Sequence, residues 1–335
     1  MITTINTENW SEKYRNAGVD PARRSLLVTN FSGTEQEKDL SEPPNCGGFG
    51  RVRHFRLGDD GRWPKNQLPI EPARRALGLS EATMLRAQVF QNAVCNWRCW
   101  YCYVPFSLLN ANPRHSSWLT PEQMVELYLG DPDPPPVIDL SGGQPDLTPE
   151  WIPWMMAELE RRGLHERTYL WSDDNLSNDY FWRYISAPEQ DRVRRYKNYG
   201  RVACFKGIDA ESFAFNTAAD PSLFKEQFEL FRRFVELDID LYAYVTFTTP
   251  TRDGIDAAVH DFIERLRSIH PLLPLRTVPL EIMPFTPVQG RLHSNHRNAL
   301  ENQYLVADSW RKQLAERYAP EGISTNICDI SLRVN

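Results

Sequence analysis

The stretch Cys95-Asn96-Trp97-Arg98-Cys99-Trp100-Tyr101-Cys102 carries three cysteines at the spacing C-x3-C-x2-C. It follows residues 85–91, a run typical of a β-strand. Thiolates this close together, on a loop that can wrap around a ligand, suit an iron–sulfur cluster better than other common metal centres. A cubane cluster has four irons, so three protein thiolates leave one iron open to a ligand that is not protein.

Two other interpretations of the cysteines remain open at this point. A structural zinc site needs four ligands and usually comes as paired C-x2-C knuckles. The nearest candidate for a fourth ligand is His115, which has no second histidine at zinc-finger spacing. A disulfide needs an oxidising compartment, for which nothing in the sequence argues. The cluster is therefore the favoured hypothesis, and zinc is the alternative.

The cysteine motif, with the aromatic Tyr101 before its last cysteine, resembles the signature of the radical S-adenosylmethionine (SAM) superfamily. The resemblance implies a [4Fe-4S] cluster on Cys95, Cys99 and Cys102, with SAM chelating the open iron. It implies that the reduced cluster cleaves a carbon–sulfur bond of SAM, usually to a 5′-deoxyadenosyl radical that abstracts hydrogen from a substrate. Tyr101 is then expected beside SAM.

A second motif, Ser141-Gly142-Gly143-Gln144-Pro145, follows the second predicted strand. Two glycines let a backbone approach a ligand closely. The motif resembles the Gly-Gly-Glu-Pro turn of the same family, whose backbone and acidic side chain bind the amino group of SAM. Gln144 stands where that family has glutamate, so it offers an acceptor without charge, and a lower SAM affinity is expected. The alternative is an ordinary glycine-rich turn.

Two more places resemble SAM contacts of the family. Ser172, Asp173 and Asn175 follow the third predicted strand and loosely match a polar segment near the ribose and methionine parts of SAM. An Asx-rich turn is an equal alternative. Lys206, at the end of the fourth predicted strand, resembles a basic residue that some members use on the SAM carboxylate. A salt-bridged loop lysine is its alternative.

From residue 84 onward, strand-like segments alternate with amphipathic helices, which indicates parallel α/β architecture. With the resemblance, this alternation predicts a partial (β/α)6 TIM-like barrel with the cluster and SAM at its C-terminal mouth. Residues 1–80 are expected to form an irregular N-terminal extension, residues 81–295 the barrel, and residues 296–335 a C-terminal helical extension. The predicted strands are residues 85–91, 137–140, 168–171, 201–209 with the exit loop, 239–248 and 278–285.

Composition narrows the class of protein. The net charge of −6 argues against a general nucleic-acid binder. No run of about 18 apolar residues is present, and the first residues lack the pattern of a signal peptide, so a cytoplasmic protein that does not enter a membrane is expected. Outside the motif, Cys46, Cys204 and Cys328 stand singly, so a single-cluster enzyme without an auxiliary cluster is expected.

The sequence thus predicts a radical SAM enzyme that modifies a small metabolite or a short peptide, with an electron donor such as flavodoxin or ferredoxin. No residue is assigned to catalysis on the substrate. The remaining alternatives are transfer of the 3-amino-3-carboxypropyl group of SAM, activation of a glycyl-radical partner, and a non-catalytic metal-binding module. The last of these predicts bound zinc or no metal, and no affinity for SAM.

Overall fold

The computed structural model of the chain describes residues 4–57, 63–79 and 82–332. Over these residues the strands are β1 (Val19–Asp20), β2 (Ser25–Thr29), β3 (Gly50–Arg56), β4 (Met84–Phe90), β5 (Ser116–Leu119), β6 (Val137–Leu140), β7 (Tyr169–Asp174), β8 (Tyr199–Phe205), β9 (Leu241–Thr246) and β10 (Thr277–Leu280). The α-helices are α1 (Thr7–Gly18), α2 (Ile70–Leu77), α3 (Pro121–Leu129), α4 (Trp151–Arg161), α5 (Tyr180–Tyr184), α6 (Ala187–Arg195), α7 (Ala210–Thr217), α8 (Phe224–Glu236), α9 (Ile255–Ile269), α10 (Thr286–Gln289), α11 (Ser294–Arg317) and α12 (Pro320–Ser324).

The main sheet has seven strands in the order β10-β9-β8-β7-β6-β4-β3. The six strands from β4 to β10 in this sheet are mutually parallel, whereas β3 pairs antiparallel with β4. The curled sheet is a half-barrel that fits a partial TIM-like barrel. Its seventh strand, β3, belongs to the N-terminal extension (residues 1–80), which is called the leader below. The predicted (β/α)6 barrel does not include this strand.

The two faces of this sheet bury different sets of side chains. On the outer face, Phe205 meets Phe228 of α8 at 4.8 Å and Phe262 of α9 at 5.5 Å between ring centroids. On the inner face, a second apolar cluster occupies the end where the parallel strands begin, and α2 packs against it. The inner cluster includes Phe55, Leu85, Val137, Tyr169, Trp171, Val202, Tyr242 and Val278. The polar side chains Arg53, Asp173 and Lys206 lie at the opposite end, where the strands finish.

The leader is more regular than predicted. It contains α1 and two strands, β1 and β2, that join β5 in a three-stranded antiparallel sheet. Residues 50–56 form strand β3, and α2 ends at Gly78, which adopts the left-handed conformation. The expectation of an irregular segment was wrong because strand pairing with distant residues cannot be recognised from the local pattern of the leader.

Of the strand limits that differ from the predicted ones, two bear on the site. Strand β7 continues to Asp174, so Ser172 and Asp173 lie in a strand and not in a turn. Strand β10 stops at Leu280, well before the predicted end at residue 285. The C-terminal helix is confirmed as α11. Among the described residues, no helix combines the length and the apolar character needed to cross a membrane.

Phe262→Ala tests the packing between helices and sheet. Phe262 is fully buried and contacts Phe205, Phe228 and Trp310. The cavity left by its ring is expected to lower the free energy of unfolding by about 3–5 kcal/mol. Leu305→Ala is the control, because Leu305 is 43% exposed and a loss of about 0.5 kcal/mol or less is expected there. Urea denaturation measures both, and equal losses would contradict this assignment of the core.

Candidate functional site

A cavity of about 260 Å³ lies where the parallel strands end. It brings together all of the predicted site residues except Ser172, whose hydroxyl lies 2.8 Å from that of Tyr199. Ligand roles for the residues that line the cavity remain predictions. The predicted residues that line it are Cys95, Cys99, Tyr101, Cys102, Gly142, Gly143, Gln144, Asp173, Asn175 and Lys206.

Two arginines hold the backbone of the cysteine loop. Arg98 donates hydrogen bonds to the carbonyl oxygens of Cys95 and Trp97 at 2.7 and 2.8 Å. Arg291, from the segment before α11, donates to the carbonyl oxygen of Cys102 at 2.7 Å. Both guanidinium groups therefore fix loop geometry and bring positive charge close to the thiols, which suits a ligand set that becomes anionic on binding metal.

The middle of the loop is fixed from two further directions. The indole of Trp100 stacks on the imidazole of His296 with centroids 4.5 Å apart and planes 12° apart. Its ring N–H donates to the side-chain oxygen of Asn216 at 3.0 Å, and its backbone N–H donates to the carbonyl of the same residue at 3.2 Å. The cysteines therefore sit on a loop whose conformation is set before any ligand binds.

All three motif cysteines are free thiols. Burial raises the pKa of Cys99 to about 12, against the opposing effect of Lys206. Burial likewise raises the pKa of Cys95, which Arg98 opposes, and that of Cys102, which the backbone N–H of Val104 opposes. Without a ligand the three groups are protonated at neutral pH, so binding of metal has to displace their protons.

The donor set fits an iron–sulfur cluster. Three thiols face one cavity that also contains a cationic side chain, and cluster thiolates are stabilised by nearby positive charge and hydrogen bonds. Within the described ranges, no group of three or more His, Cys, Asp or Glu side chains is arranged to hold a metal ion. A cubane cluster takes each thiolate on a different iron, and so it does not require the three thiols to converge on one point.

The Gly142-Gly143 turn packs directly on the chain that leads into the cysteine loop. A Cβ atom at Gly143 would lie 2.4 Å from the carbonyl oxygen of Asn92 and 2.5 Å from that of Val94, and its φ is +63°. The backbone N–H of Gln144 donates to the same Val94 oxygen at 2.8 Å. Glycine at 143 is therefore required by contact with the protein itself, and this contact joins the two motifs.

The Gln144 side chain is buried and bound within the protein. Its amide N–H donates to Asp174 at 2.7 Å, and its amide oxygen accepts the backbone N–H of Asn175 at 3.1 Å. Asp174 in turn ion-pairs with buried Arg201 at 2.9 Å, and Arg201 also pairs with Asp146 at 2.5 Å. A side chain that both donates and accepts is needed here, which a carboxylate cannot do when ionised.

The cavity contains charges that the sequence analysis missed or placed only loosely. Arg53 reaches it from β3, and Glu281 lines it just after β10. Burial and the nearby Asp139 raise the pKa of Asp173 to about 7, whereas Arg53 and Lys206 act in the opposite direction. The alternation along residues 51–56 predicts that Arg51, Arg53 and Phe55 share one face of a strand. It does not predict that this strand pairs with β4, which is what brings Arg53 to the cavity.

Lys206 is enclosed by polar groups of the cavity. Burial works against its charged form, but Cys204, Tyr101 and Cys99 favour that form, and its pKa is raised well above the ordinary value. Its cationic charge therefore persists at neutral pH. Cys204 also lines the cavity, as a buried thiol outside the motif.

The matches to known proteins are to solved structures of low sequence identity. No protein-family model matches the chain, and no curated protein matches it. SuiB of Streptococcus suis bound to the precursor peptide SuiA is 15% identical, with 53% of this chain and 36% of SuiB covered and a TM-score of 0.37. SuiB bound to S-adenosylmethionine is 18% identical, with 52% and 36% covered and a TM-score of 0.36. The aligned part spans about a third of SuiB.

Gly143→Ala tests the contact between the two motifs. The added methyl group would meet two backbone oxygens in a left-handed conformation, so a loss of about 3 kcal/mol or more in unfolding free energy is expected. Gly163→Ala is the matched control, since Gly163 has a φ of +67° and nothing within 4 Å of the added Cβ. Only the cost of the conformation, about 1–2 kcal/mol, is expected there. Similar losses for both variants in urea denaturation would show that the contact does not constrain residue 143.

Gln144→Glu tests the buried hydrogen-bond network. A glutamate would place a second acceptor against Asp174 and would leave both carboxylates without that bond, so a loss of about 1–3 kcal/mol in unfolding free energy is expected. Adding Asp174→Asn restores a donor–acceptor pair, and the double variant is expected to be more stable than the sum of the two single changes predicts. Strict additivity in a denaturation cycle would contradict the network.

Proposed function

We propose that this protein is a radical SAM enzyme. In this proposal Cys95, Cys99 and Cys102 bind a [4Fe-4S] cluster, and SAM binds beside it in the same cavity. The observation that supports this proposal above all others is that the three motif thiols and the Gly142-Gly143 turn, which lie far apart in the sequence, line one cavity at the ends of parallel strands. In α/β barrels that end carries the active site.

The charges of the cavity suit a zwitterionic ligand such as SAM. SAM carries an ammonium group and a carboxylate, and the cavity offers Asp173 to the first and Lys206 to the second. Tyr101 and the Gly142-Gly143 turn would position the ligand next to the cysteines. Since the Gln144 side chain is engaged by Asp174 and Asn175, its contribution would come mainly through the backbone of the turn.

The chain's own residues would prepare the site for this chemistry. When bound, the reduced cluster would supply the electron that cleaves a carbon–sulfur bond of SAM. Arg98 and Arg291 hold the loop that carries the thiols. The apolar layer around Tyr169, Trp171 and Tyr242 closes the half-barrel at the end where the parallel strands begin. It would keep water from entering the cavity from that end. We also propose that a protein such as flavodoxin or ferredoxin supplies the electron, and that the enzyme works in a reducing cytoplasm.

The substrate in this proposal is a small metabolite or a short peptide. Cleavage of a different carbon–sulfur bond of SAM, with transfer of its 3-amino-3-carboxypropyl group, is the second candidate. The observation that favours it is the uncharged residue at 144, within a turn whose acidic counterpart in the family binds the amino group of SAM. The products of SAM cleavage distinguish the two reactions directly.

Anaerobic reconstitution with iron and sulfide, followed by dithionite and SAM, tests the function. Bound iron and sulfide in equal amounts and release of 5′-deoxyadenosine, detected by mass spectrometry, are expected. Cys99→Ala should lose the cluster and SAM cleavage. Cys328→Ala is the matched control, because Cys328 lies beside Tyr242 at the other end of the half-barrel, and it should retain both.

The other outcomes are equally informative. Methylthioadenosine in place of 5′-deoxyadenosine would indicate 3-amino-3-carboxypropyl chemistry. Bound zinc with no SAM cleavage would reject the enzyme and support a metal-binding module. Equal iron content in Cys99→Ala and Cys328→Ala would show that the motif cysteines do not hold the cluster.

A further inference from the structure

A groove of about 580 Å³ runs along β3, between this strand and residues 36–42 of the leader. It shares Arg53, Tyr103 and Phe285 with the cavity that contains the cysteines, so the two spaces are adjacent. We propose that the free edge of β3 docks an extended acidic peptide and directs it into that cavity. The proposal deepens the proposed function by naming a peptide as the substrate class.

The backbone of β3 offers unpaired hydrogen-bonding groups on one side. Strand β3 is the last strand of the main sheet. Leu57 donates its N–H to Thr83 on the β4 side, whereas the N–H and C=O of Gly50 face away and pair with Asn45. Because these directions alternate along an antiparallel pair, the N–H and C=O groups of residues 52, 54 and 56 also face away from β4. No backbone partner for them exists in the described ranges.

The side chains that line the groove come from both faces of the strand. Arg51 and Arg53 belong to the inner face of the sheet, and Val52 and His54 belong to the outer face, yet all four line this groove. A groove bordered by consecutive residues follows the edge of a strand and not one of its faces. Such an edge is matched by an extended peptide backbone that adds one more strand.

The acidic groups of the groove are already engaged. Asp39 accepts hydrogen bonds from the backbone N–H and the hydroxyl of Thr286, at 3.1 and 2.7 Å. Glu42 lies 2.5 Å from the imidazole of His54. Neither carboxylate is therefore free to neutralise the arginines of the strand.

The arginines of β3 are compensated only in part: Asp139 and Asp173 favour the charged form of Arg53, and Arg51 lies close enough to Asp139 to act on it. In the part of the chain that the structure describes, neither Arg53 nor Arg56 forms an ion pair with a carboxylate. Arg51 is 7% exposed, donates to the hydroxyl of Tyr103 at 3.1 Å, and leaves its Nε buried without a partner. Guanidinium groups in this state favour carboxylates, with which they form charge-assisted hydrogen bonds. The occupant is therefore a peptide with acidic side chains.

The boundary between groove and cavity is formed by one charged and two aromatic side chains, Arg53, Tyr103 and Phe285. Phe285 is 43% exposed and Met283 is 52% exposed at the rim, although both are large hydrophobic residues. Arg53 lies where the two spaces meet. A peptide on β3 would present an acidic residue to Arg53 and the neighbouring residue to the cavity.

Fluorescence anisotropy with a labelled, capped octapeptide of alternating threonine and glutamate tests the docking. Saturable binding in the micromolar to millimolar range is expected. The same peptide with glutamine in place of glutamate should bind at least tenfold more weakly, and so should one with N-methylated backbone at alternate positions. Free glutamate should not compete at concentrations equal to those of the peptide.

Variants locate the binding site. Arg53→Gln with Arg56→Gln should weaken binding of the glutamate peptide at least tenfold, and hydrogen–deuterium exchange over residues 50–57 should slow when the peptide binds to the parent protein. Lys225→Gln is the matched control, since it removes one exposed positive charge from α8 and should leave binding unchanged.

Several results would overturn the proposal. They are absence of binding, equal binding of the glutamate and glutamine peptides, equal binding of the N-methylated peptide, and competition by free glutamate. The last would indicate a small carboxylate ligand. Because anisotropy and exchange are measured without cluster or SAM, failure of docking and failure of radical SAM activity are separate outcomes. An edge that arginines merely protect from aggregation would show no binding.

Discussion

The site depends on the approach of one backbone to another, between Gly143 and the carbonyl oxygens of Asn92 and Val94. This contact fixes the turn after β6 against the chain that leaves β4, two strands that are neighbours in the sheet. Since both segments leave the carboxyl ends of parallel strands, they meet at one edge. The position of the cysteine loop is therefore determined by the sheet. Contacts of Arg98, Arg291 and the stacked Trp100 then fix the conformation of the loop.

Much of this arrangement could be predicted from the sequence. Six strands alternating with helices imply a parallel sheet, and a parallel sheet brings residues that follow different strands to one mouth. Cys95, Gly142 and Lys206 were predicted at this mouth from the resemblance of their segments to the radical SAM family together with the alternation, and all three line the cavity. Local residue types also account for the start of α3, where Thr120 and Gln123 form a capping box.

The parts that could not be predicted depend on register and on long-range pairing. Ser172 misses the cavity because β7 continues past it, and alternation turns its hydroxyl to the outer face, towards Tyr199. Arg53 enters the cavity because β3 pairs with β4 across a distance in sequence that no local pattern reports. Gln144 bonds to Asp174 at the end of β7, and Asp174 pairs with Arg201 of β8. The sequence could not show these contacts, and so it could not show why glutamine suits position 144.

The closed inner end of the half-barrel has a kinetic consequence. Aromatic side chains and α2 fill the space where the strands begin, so molecules that use the cavity share the entrance at the other end. The thiols lie in the cavity, and the groove of β3 borders it on the side of Arg53. A ligand held against the cysteines would then have to arrive before a ligand that spans the groove and leave after it. For the proposed reaction, steady-state rates are therefore expected to follow a compulsory order of addition, with the outer ligand trapping the inner one.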